Sequence, residues 1–318
     1  MDCHDGRVTD SISGPKVAIV GAGSVGSTLA YALLLRGVAR HVVLYDIDAG
    51  KVRAETLDLR QGLQFMPAAH VDGSDDIDVC ADADVVAVTA GAKQQAGQSR
   101  LDLAASTTRL MVDLMPRLVQ VAPRATYVMV TNPVDVITYV AQKVTDLPPA
   151  RLFGSGTVLD SARLRGLVAQ TCGVAVQSVH AYIVGEHGDS EIPLWSSATV
   201  GAVPITDLTT VEQREQMAHD VVHAAYEIIA GKGATNYAIG ASASRIIESV
   251  LRDERQVLPV STLLSGTLGL DDVCLSIPTV VGAGGAERPL APTLSGEELS
   301  GLRAGADSLR SAARELGF

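Results

Sequence analysis

The chain has 318 residues, 47% of them hydrophobic and 19% charged, which predicts a soluble globular protein of about two domains. A formal net charge of −11 argues against non-specific binding to nucleic acids or to anionic membranes. The four cysteines are scattered without a C-x-x-C pair, so the sequence indicates neither a zinc site nor a disulfide framework.

Residues 1–15 are predicted to form a flexible N-terminal extension. The first fourteen are polar and contain no apolar segment of the signal-peptide type, so we expect a cytoplasmic protein. Residues 17–35 carry no charge and are long enough to cross a bilayer. Glycines and small hydroxyl side chains interrupt that segment, and a strand, a turn and a helix are the better interpretation.

The first predicted unit is a strand, a glycine-rich turn, a helix and a second strand. Residues 17–20 are apolar and mostly β-branched, as in a buried strand. A G-x-G-x-x-G pattern follows, and then a predicted helix over residues 27–36. A second apolar segment, residues 42–45, ends at Asp46, about 20 residues past the last glycine. This is the context that the dinucleotide-binding fingerprint requires.

Each residue of the pattern has a chemical reason to bind a dinucleotide. Gly21 permits a tight turn, Gly23 lets the backbone approach a pyrophosphate, and Gly26 lets the helix pack closely on the strand. The helix N-terminus offers unpaired N–H groups to the phosphates. Asp46 would accept hydrogen bonds from ribose hydroxyls and would repel the additional phosphate of NADP. The expected cofactor is therefore NAD.

Strand and helix signals alternate up to about residue 148, which predicts a parallel, doubly wound sheet. Strands over residues 85–89 and 126–130 end near Gly91 and Asn132, and a helix is predicted over residues 104–121. Ligands bind beyond the carboxyl ends of such strands. The residues assigned to the cofactor are Gly21, Gly23, Ser24, Val25, Gly26, Asp46, Thr89, Gly91 and Asn132.

The second half of the chain has a different pattern and no glycine fingerprint of its own. Its predicted helices cover residues 159–171, 209–230, 235–251 and 296–316, and its predicted strands cover residues 178–184, 194–203, 257–264 and 273–281. The expected fold class is α/β. A Rossmann-type NAD-binding domain, residues 16–148, is followed by a mixed α+β substrate-binding domain, residues 149–318.

Three polar clusters contain candidate catalytic groups. His187 follows an apolar segment and lies between glycines, Asp160 and Arg163 share one face of a helix, and Gln95 and Arg100 belong to a polar loop. Taken singly, each has an ordinary explanation: a hydrogen-bonded loop histidine, a weak surface ion pair and a solvated loop.

Together, several long motifs in order resemble a known family. They are GAGSVG, TAGAKQQAGQSRLDL, TNPVD, GSGTVLDSARLR, VGEHGDSE and GKGATNYAIG. Over residues 16–316 the chain resembles the NAD-dependent L-lactate dehydrogenases and, one step further, the malate dehydrogenases of the same superfamily. The resemblance implies reversible hydride transfer between NADH and pyruvate, giving L-lactate.

The resemblance also implies a role for each candidate group. His187 would be the general acid/base, which suits the titration range of histidine. Asp160 would orient its imidazole, and Arg163 would bind the substrate carboxylate as a bidentate fork. Arg100, on a closing lid, would polarise the substrate carbonyl.

Three further residues are assigned to the substrate by the same resemblance. Asn132 would orient substrate and nicotinamide, and Thr235 would line the pocket. Gln95 would face the variable end of the substrate, where malate dehydrogenases carry an arginine for the second carboxylate of oxaloacetate. A neutral side chain there favours pyruvate.

Other readings stay open at this point. One is a malate or other 2-oxoacid dehydrogenase, and another is a glycoside hydrolase that uses NAD and a metal. The hydrolase would need cysteine and histidine ligands near the nicotinamide, whereas Cys172 falls late in a predicted helix. A non-catalytic NAD sensor would be expected to lack His187 or its partners. We assign no metal site.

Arg165 and His180 are left unused by this scheme. Helical and strand periodicity direct both away from the substrate, and a solvated arginine and an unpartnered histidine are the ordinary interpretation. In bacterial lactate dehydrogenases activated by fructose bisphosphate, residues at the matching positions bind its phosphates at a twofold interface. The resemblance therefore implies this activator and a homotetramer.

Overall fold

The computed structural model describes residues 14–92 and 100–318, with side chains described for residues 14–92 and 104–318. Its strands, in chain order, are β1 Lys16–Val20, β2 His41–Tyr45, β3 His70–Ser74, β4 Val85–Val88, β5 Thr126–Met129, β6 Leu152–Gly154, β7 Val179–His180, β8 Ile183–Val184, β9 Ile192–Pro193, β10 Thr199–Val200, β11 Val203–Pro204, β12 Gln256–Ser265, β13 Asp271–Gly282 and β14 Gly285–Pro289. Its α-helices are α1 Ser24–Leu35, α2 Ala49–Gly62, α3 Arg100–Val121, α4 Val134–Val144, α5 Val158–Cys172, α6 Val211–Lys232, α7 Tyr237–Leu251 and α8 Gly296–Glu315.

The first six strands form the parallel part of a nine-stranded sheet, in the order β6-β5-β4-β1-β2-β3. This is the Rossmann strand order. The chain adds strands outward on one side from β1 to β3 and then on the other side from β4 to β6. The predicted α/β class with a parallel, doubly wound sheet is confirmed. Because the connections after β1 and β4 lead to opposite sides of the sheet, a crevice is left at the carboxyl ends of these two strands, where the glycine loop begins.

Both faces of this sheet are covered, as the continuous apolar strands require. Val17 and Ile19 of β1 pack in one hydrophobic core, which includes residues of α1 and α7. Ala18 and Val20 pack in a second core with residues of α3 and α4. The alternation of side chains along a strand sends neighbours to opposite faces.

The second half of the chain does not stand apart from this sheet. Strands β12, β13 and β14 extend it in antiparallel fashion, and β12 joins the parallel part where Ser261 pairs with Gly154 of β6. A β-carbon built on Gly154 would lie 2.6 Å from Oγ1 of Thr138. Glycine therefore permits the close approach of α4 to the junction.

Two predicted strands of the second half are wrong in extent. Residues 178–184 form two short strands, β7 and β8, with a break at residues 181–182. Residues 194–203 contain a 3-10 turn, Trp195–Ser197, and then the β10–β11 hairpin. Gly201 turns the chain within that hairpin with φ +56°, a left-handed conformation that glycine adopts readily because it has no β-carbon.

The predicted helices of the second half are confirmed to within a few residues, but α1 begins earlier than expected. Its first residue is Ser24 rather than residue 27, so the middle of the glycine pattern is already the first helical turn. Capping boxes at Thr210 and Ser295 start α6 and α8. Among the described residues, no helix combines the length and apolarity needed to cross a membrane.

Candidate active site and cofactor site

The glycine loop between β1 and α1 is closely packed. Gly21 has φ +103°, and a β-carbon on it would lie 2.8 Å from the backbone nitrogen of Ala90. A β-carbon on Gly26 would lie only 1.9 Å from the carbonyl oxygen of Gly21. The helix therefore reaches the strand as closely as it does only because both residues lack side chains.

Gly23, in contrast, faces open space. A β-carbon on it would meet only Nζ of Lys51, at 3.9 Å. Gly23 is the N-cap of α1 and makes no side-chain capping bond, so the N–H groups of Ser24 and Val25 in the first turn have no capping side chain. An open helix N-terminus with a nearby ammonium group fits a pyrophosphate. Sequence reasoning missed Lys51.

Asp46 lies beside this loop, at the end of β2. Its Oδ2 accepts a hydrogen bond of 2.7 Å from the backbone N–H of Ala22, and its Oδ1 accepts one of 3.1 Å from the N–H of Asp48. The carboxylate is thus fixed next to the glycine loop, 24 residues away in sequence from Ala22. That placement suits a contact with the ribose of a bound dinucleotide.

Thr89 and Gly91 border the same crevice at the end of β4. The hydroxyl of Thr89 donates to the carbonyl oxygens of Val20 and Gly21, at 3.0 Å each. A β-carbon on Gly91 would lie 2.2 Å from Oγ1 of Thr131. Asn132 follows on an exposed turn after β5.

His187 and Asp160, 27 residues apart in sequence, meet in the second half of the chain. Nδ1 of His187 lies 2.6 Å from Oδ2 of Asp160, and the Asp160 side chain is only 2% exposed. The other carboxylate oxygen accepts a 2.8 Å hydrogen bond from Nη1 of Arg163. Asp160 therefore holds an imidazole and a guanidinium at once, and the three predicted groups are brought together.

The main chain also fixes His187. Its backbone N–H donates to Oδ2 of Asp135 at 2.7 Å, and Asp135 is fully buried in the first turn of α4. Just before it, Gly185 has φ +91° and is paired with Ser276 of β13 through two backbone hydrogen bonds. Sequence reasoning missed Asp135, although the TNPVD motif contains it.

Three groups here have displaced pKa values. Burial opposes a charged imidazole, but the hydrogen bond and charge of Asp160 outweigh it and raise the pKa of His187 to about 9. Burial, together with the Asp160 charge, raises the pKa of Glu191 to about 8. Burial raises the pKa of Asp135 to about 6. Such clustering is typical of a functional site.

A cavity of ≈ 450 Å³ opens beside these groups. Asn132, Asp160, Arg163, His187 and Glu191 are among its polar lining residues. Helices α6 and α8, with the residue that caps α8, supply apolar lining residues, among them Val221, Ala225, Ile229, Leu309, Ala312 and Leu316. A small polar substrate could thus meet a carboxylate-binding arginine and an acid/base in a partly apolar space.

Thr235 is a predicted substrate residue that the structure describes away from this cavity. Thr235 is half-buried between α6 and α7 and is not among the described residues that line it. Gln95 lies outside the described residues, and so does the side chain of Arg100, the first residue of α3. Cys172 ends α5 as a free thiol and does not line the cavity.

Arg165 of α5 contacts the chain segment that directly follows His180 of β7. Nε of Arg165 donates to the carbonyl oxygen of Ala181 at 2.8 Å, and its guanidinium lies 4.8 Å from the ring centre of Tyr182. His180 is exposed and pairs with Thr199 across β7 and β10. The predicted strand over residues 178–184 is broken at residues 181–182, so strand periodicity does not place His180 relative to His187.

Comparison with known proteins gives a consistent result. Residues 15–154 match the NAD binding domain of lactate/malate dehydrogenases, and residues 157–316 match their alpha/beta C-terminal domain. The chain is 51% identical to an L-lactate dehydrogenase of Bifidobacterium animalis subsp. lactis, over 98% of this chain and 100% of the relative. It is 45% identical to an L-lactate dehydrogenase of a Synechococcus species, over 93% of this chain and 97% of that one.

A solved structure agrees with these relatives. The minor L-lactate dehydrogenase of Enterococcus mundtii, in a ligand-bound form, superposes with a TM-score of 0.92 at 36% identity. The match covers 95% of this chain and 98% of the Enterococcus chain. With the glycine loop, Asp46 and the family model all pointing to NAD, the chain belongs to the lactate/malate dehydrogenase family and carries its NAD-binding domain.

Proposed function

We propose that this protein is an L-lactate dehydrogenase, which reduces pyruvate to L-lactate with NADH and catalyses the reverse reaction. The observation that carries the proposal is the Asp160 carboxylate, which holds His187 and Arg163 together at the cavity. Identity of 51% to an L-lactate dehydrogenase supports the choice of substrate.

The geometry supports a specific division of labour. Because Nδ1 of His187 is engaged by Asp160, Nε2 is the ring nitrogen left to give a proton to the substrate oxygen. In pyruvate reduction, Asp160 stabilises the imidazolium of His187 before the proton is transferred. In lactate oxidation, Asp160 holds the neutral imidazole in the tautomer whose Nε2 can accept the proton. Arg163 uses one nitrogen on Asp160, and its remaining N–H groups are available for the substrate carboxylate.

The cofactor, when bound, supplies or accepts the hydride. The residues that would hold it are the glycine loop, the first turn of α1 and Asp46, whose geometry fits the group. We propose that Arg100 polarises the substrate carbonyl, that Gln95 faces the methyl group of pyruvate and that Thr235 completes the pocket. These last three assignments rest on the sequence motifs.

The direct test is NADH oxidation with pyruvate, oxaloacetate and longer 2-oxoacids. Pyruvate should give the highest kcat/KM. The variant Gln95→Arg should raise the ratio of oxaloacetate to pyruvate, because it supplies a cation for the second carboxylate. His187→Asn should bind NADH but lose turnover. Preference of the wild type for oxaloacetate, or near-normal turnover of His187→Asn, would refute the proposal.

We further propose a cytoplasmic homotetramer with domains divided near residue 148 and activated by fructose bisphosphate. Arg165 donates to the carbonyl oxygen of Ala181, the residue after exposed His180, and a second copy across a twofold axis would supply the same two residues for two phosphates. Fructose bisphosphate should lower the KM for pyruvate in the wild type but not in Arg165→Gln. An equal fall of KM in the wild type and in Arg165→Gln, or no fall in the wild type, contradicts the proposed activation.

A further inference from the structure

A cluster of two histidines and an aspartate lies at the amino-terminal ends of β2 and β3, the opposite ends of the strands from the cofactor site. His41 is the first residue of β2, and His70 is the first residue of β3. The two residues are paired directly across the parallel strands. Asp72 lies two residues beyond His70, and alternation along β3 therefore puts both side chains on the same face of the sheet.

The three side chains converge on one carboxylate oxygen. Nε2 of His41 lies 3.1 Å from Oδ2 of Asp72, and Nε2 of His70 lies 2.8 Å from the same atom. The two nitrogens and a carboxylate oxygen all lie within 4.8 Å of one another. The side chains are 28%, 52% and 35% exposed for His41, His70 and Asp72, so an ion can reach them from solvent.

These separations suit a bound cation. In a tetrahedral zinc site the metal–ligand distances of about 2.0–2.2 Å put neighbouring ligand atoms about 3.3 Å apart. The two nitrogen–oxygen separations here are a few tenths of an ångström shorter, so a small opening of the cluster admits the ion. Two imidazoles and a carboxylate are also ligands that zinc accepts.

Neighbouring groups hold the carboxylate in place and leave its second oxygen to the histidines. Arg60 of α2 donates from Nη2 to Oδ1 of Asp72 at 2.6 Å and from Nε to the carbonyl oxygen of Val71 at 2.7 Å. The oxygen that faces the histidines is therefore the one without the arginine. The ammonium of Lys16 donates to the carbonyl oxygen of Ala81 at 2.6 Å.

We propose that His41, His70 and Asp72 form a binding site for a divalent transition metal, with Zn²⁺ as the ion that fits. Arg60 is the outer partner that orients the carboxylate, as such partners do in metal sites. Water would complete the tetrahedron. Because β3 is the edge strand of the nine-stranded sheet, the metal would fasten that edge to β2. The site has no part in the proposed reaction.

Cobalt is the probe for the site, since tetrahedral Co²⁺ absorbs visible light far more strongly than the hydrated ion. Titration of the full-length, metal-free protein with Co²⁺ should produce a saturable tetrahedral spectrum without a thiolate charge-transfer band, and Zn²⁺ should abolish it. The variants His41→Gln and His70→Gln should each weaken binding at least about tenfold, because loss of even an outer partner costs that much.

Two control variants locate the signal. His187→Asn removes the histidine of the Asp160, His187 and Glu191 cluster, whose ligand atoms are also close together, and should keep the spectrum. A double variant, Cys3→Ser with His4→Gln, removes the cysteine and the histidine of the N-terminal segment and should keep the spectrum too. A spectrum that survives His41→Gln and His70→Gln, or no saturable spectrum in the wild type, overturns the proposal.

Stability gives an independent measurement. Zn²⁺ should raise the unfolding temperature of the wild type by about 2 °C or more, because a ligand of the folded state stabilises it. The His70→Gln variant should show no such rise. Assayed without metal, it should have the same turnover as the wild type. Normal turnover shows that the variant folds. An equal rise in both proteins would place the metal elsewhere and refute the site.

Discussion

Asp160 reaches His187 with one carboxylate oxygen, at 2.6 Å from Nδ1, while its other oxygen is held by an arginine on the same helix. The carboxylate is buried and cannot turn away without breaking the second contact. The imidazole is consequently fixed in orientation, and its charged form is stabilised in a place where burial alone would disfavour it.

The first prediction concerns the pH dependence of pyruvate reduction. Reduction needs protonated His187, whose pKa of about 9 is raised by Asp160 against the effect of burial. In Asp160→Asn the charge is lost, so the alkaline fall of kcat/KM for pyruvate should move down by about 1–3 pH units. Turnover at neutral pH should fall by about 10²–10⁴-fold.

The measurement is a kcat/KM profile from pH 6 to pH 10 for both proteins. The surface variant Asp207→Asn serves as the matched control and should leave the profile in place. An unchanged alkaline limb in Asp160→Asn would show that Asp160 does not set the protonation of His187.

The second prediction concerns Glu191, whose Oε1 is buried without a hydrogen-bond partner among the described residues. Burial and the charge of Asp160 raise its pKa to about 8, so it is largely neutral at pH 6.5 and anionic above pH 8. Its negative charge helps His187 to keep a proton. Glu191→Gln should therefore match the wild type at pH 6.5 and lose pyruvate reduction sooner above pH 8. Equal profiles at every pH would remove Glu191 from this role.

The third prediction uses two helical glycines in different surroundings. A β-carbon on Gly26 of α1 would lie 1.9 Å from a backbone oxygen, whereas one on Gly166 of α5 would meet nothing within 4 Å. Gly26→Ala should weaken NADH binding at least about tenfold, since α1 must shift from the strand. Gly166→Ala should bind NADH normally and gain up to about 1 kcal/mol of stability from helix propensity.

Isothermal titration with NADH and urea unfolding measure both effects. Normal NADH affinity in Gly26→Ala would mean that α1 tolerates the displacement and that the close packing is not needed for the cofactor. A loss of stability in Gly166→Ala would indicate that another subunit packs against α5 at Gly166, because no atom of the described residues outside the adjoining part of α5 lies within 4 Å of the added β-carbon.

The sequence predicted the local parts of this site better than the long-range ones. The glycine pattern is a property of neighbouring residues, and it correctly predicted a strand, a turn and a helix, with an error of three residues in the start of α1. Asp135 was missed because its partner, the backbone of His187, is 52 residues away. Periodicity predicts the face of a strand but not which distant chain segment packs there.

The same limit applies to charge. Glu191 belongs to a motif that the sequence singled out, yet its significance depends on burial and on the proximity of Asp160, neither of which a single sequence reveals. His41 and His70 are 29 residues apart and became neighbours only when β2 and β3 were paired in register. Cysteine spacing, the signal used to look for a metal site in the sequence, carries no information about two histidines on neighbouring strands.

The last prediction concerns stability and the packing of α7 on α1. The side chain of Glu248 on α7 is 7% exposed, and its carboxylate binds Arg36, the C-cap of α1, as well as Arg245, at 2.7 Å, and Arg252, at 2.5 Å. Burial raises the pKa of Glu248, but the hydrogen bond from Arg245 and the charges of the three arginines outweigh it and lower the pKa overall. The ionised form therefore stabilises the folded state.

Glu248→Ala should lower the free energy of unfolding at pH 7 by about 1–3 kcal/mol, because the partly exposed arginines lose a shared buried partner. The sign of the pH effect follows from the lowered pKa. The contribution is complete above the ordinary glutamate value of 4.5 and is lost as the pH falls through the lower folded value. Urea unfolding at pH 7 and at about pH 3.5, with exposed Glu215→Ala on α6 as the control, should show the difference from wild type shrink in acid. A difference that is equal at both pH values, or as small as that of the control, would show that the arginines do not depend on Glu248.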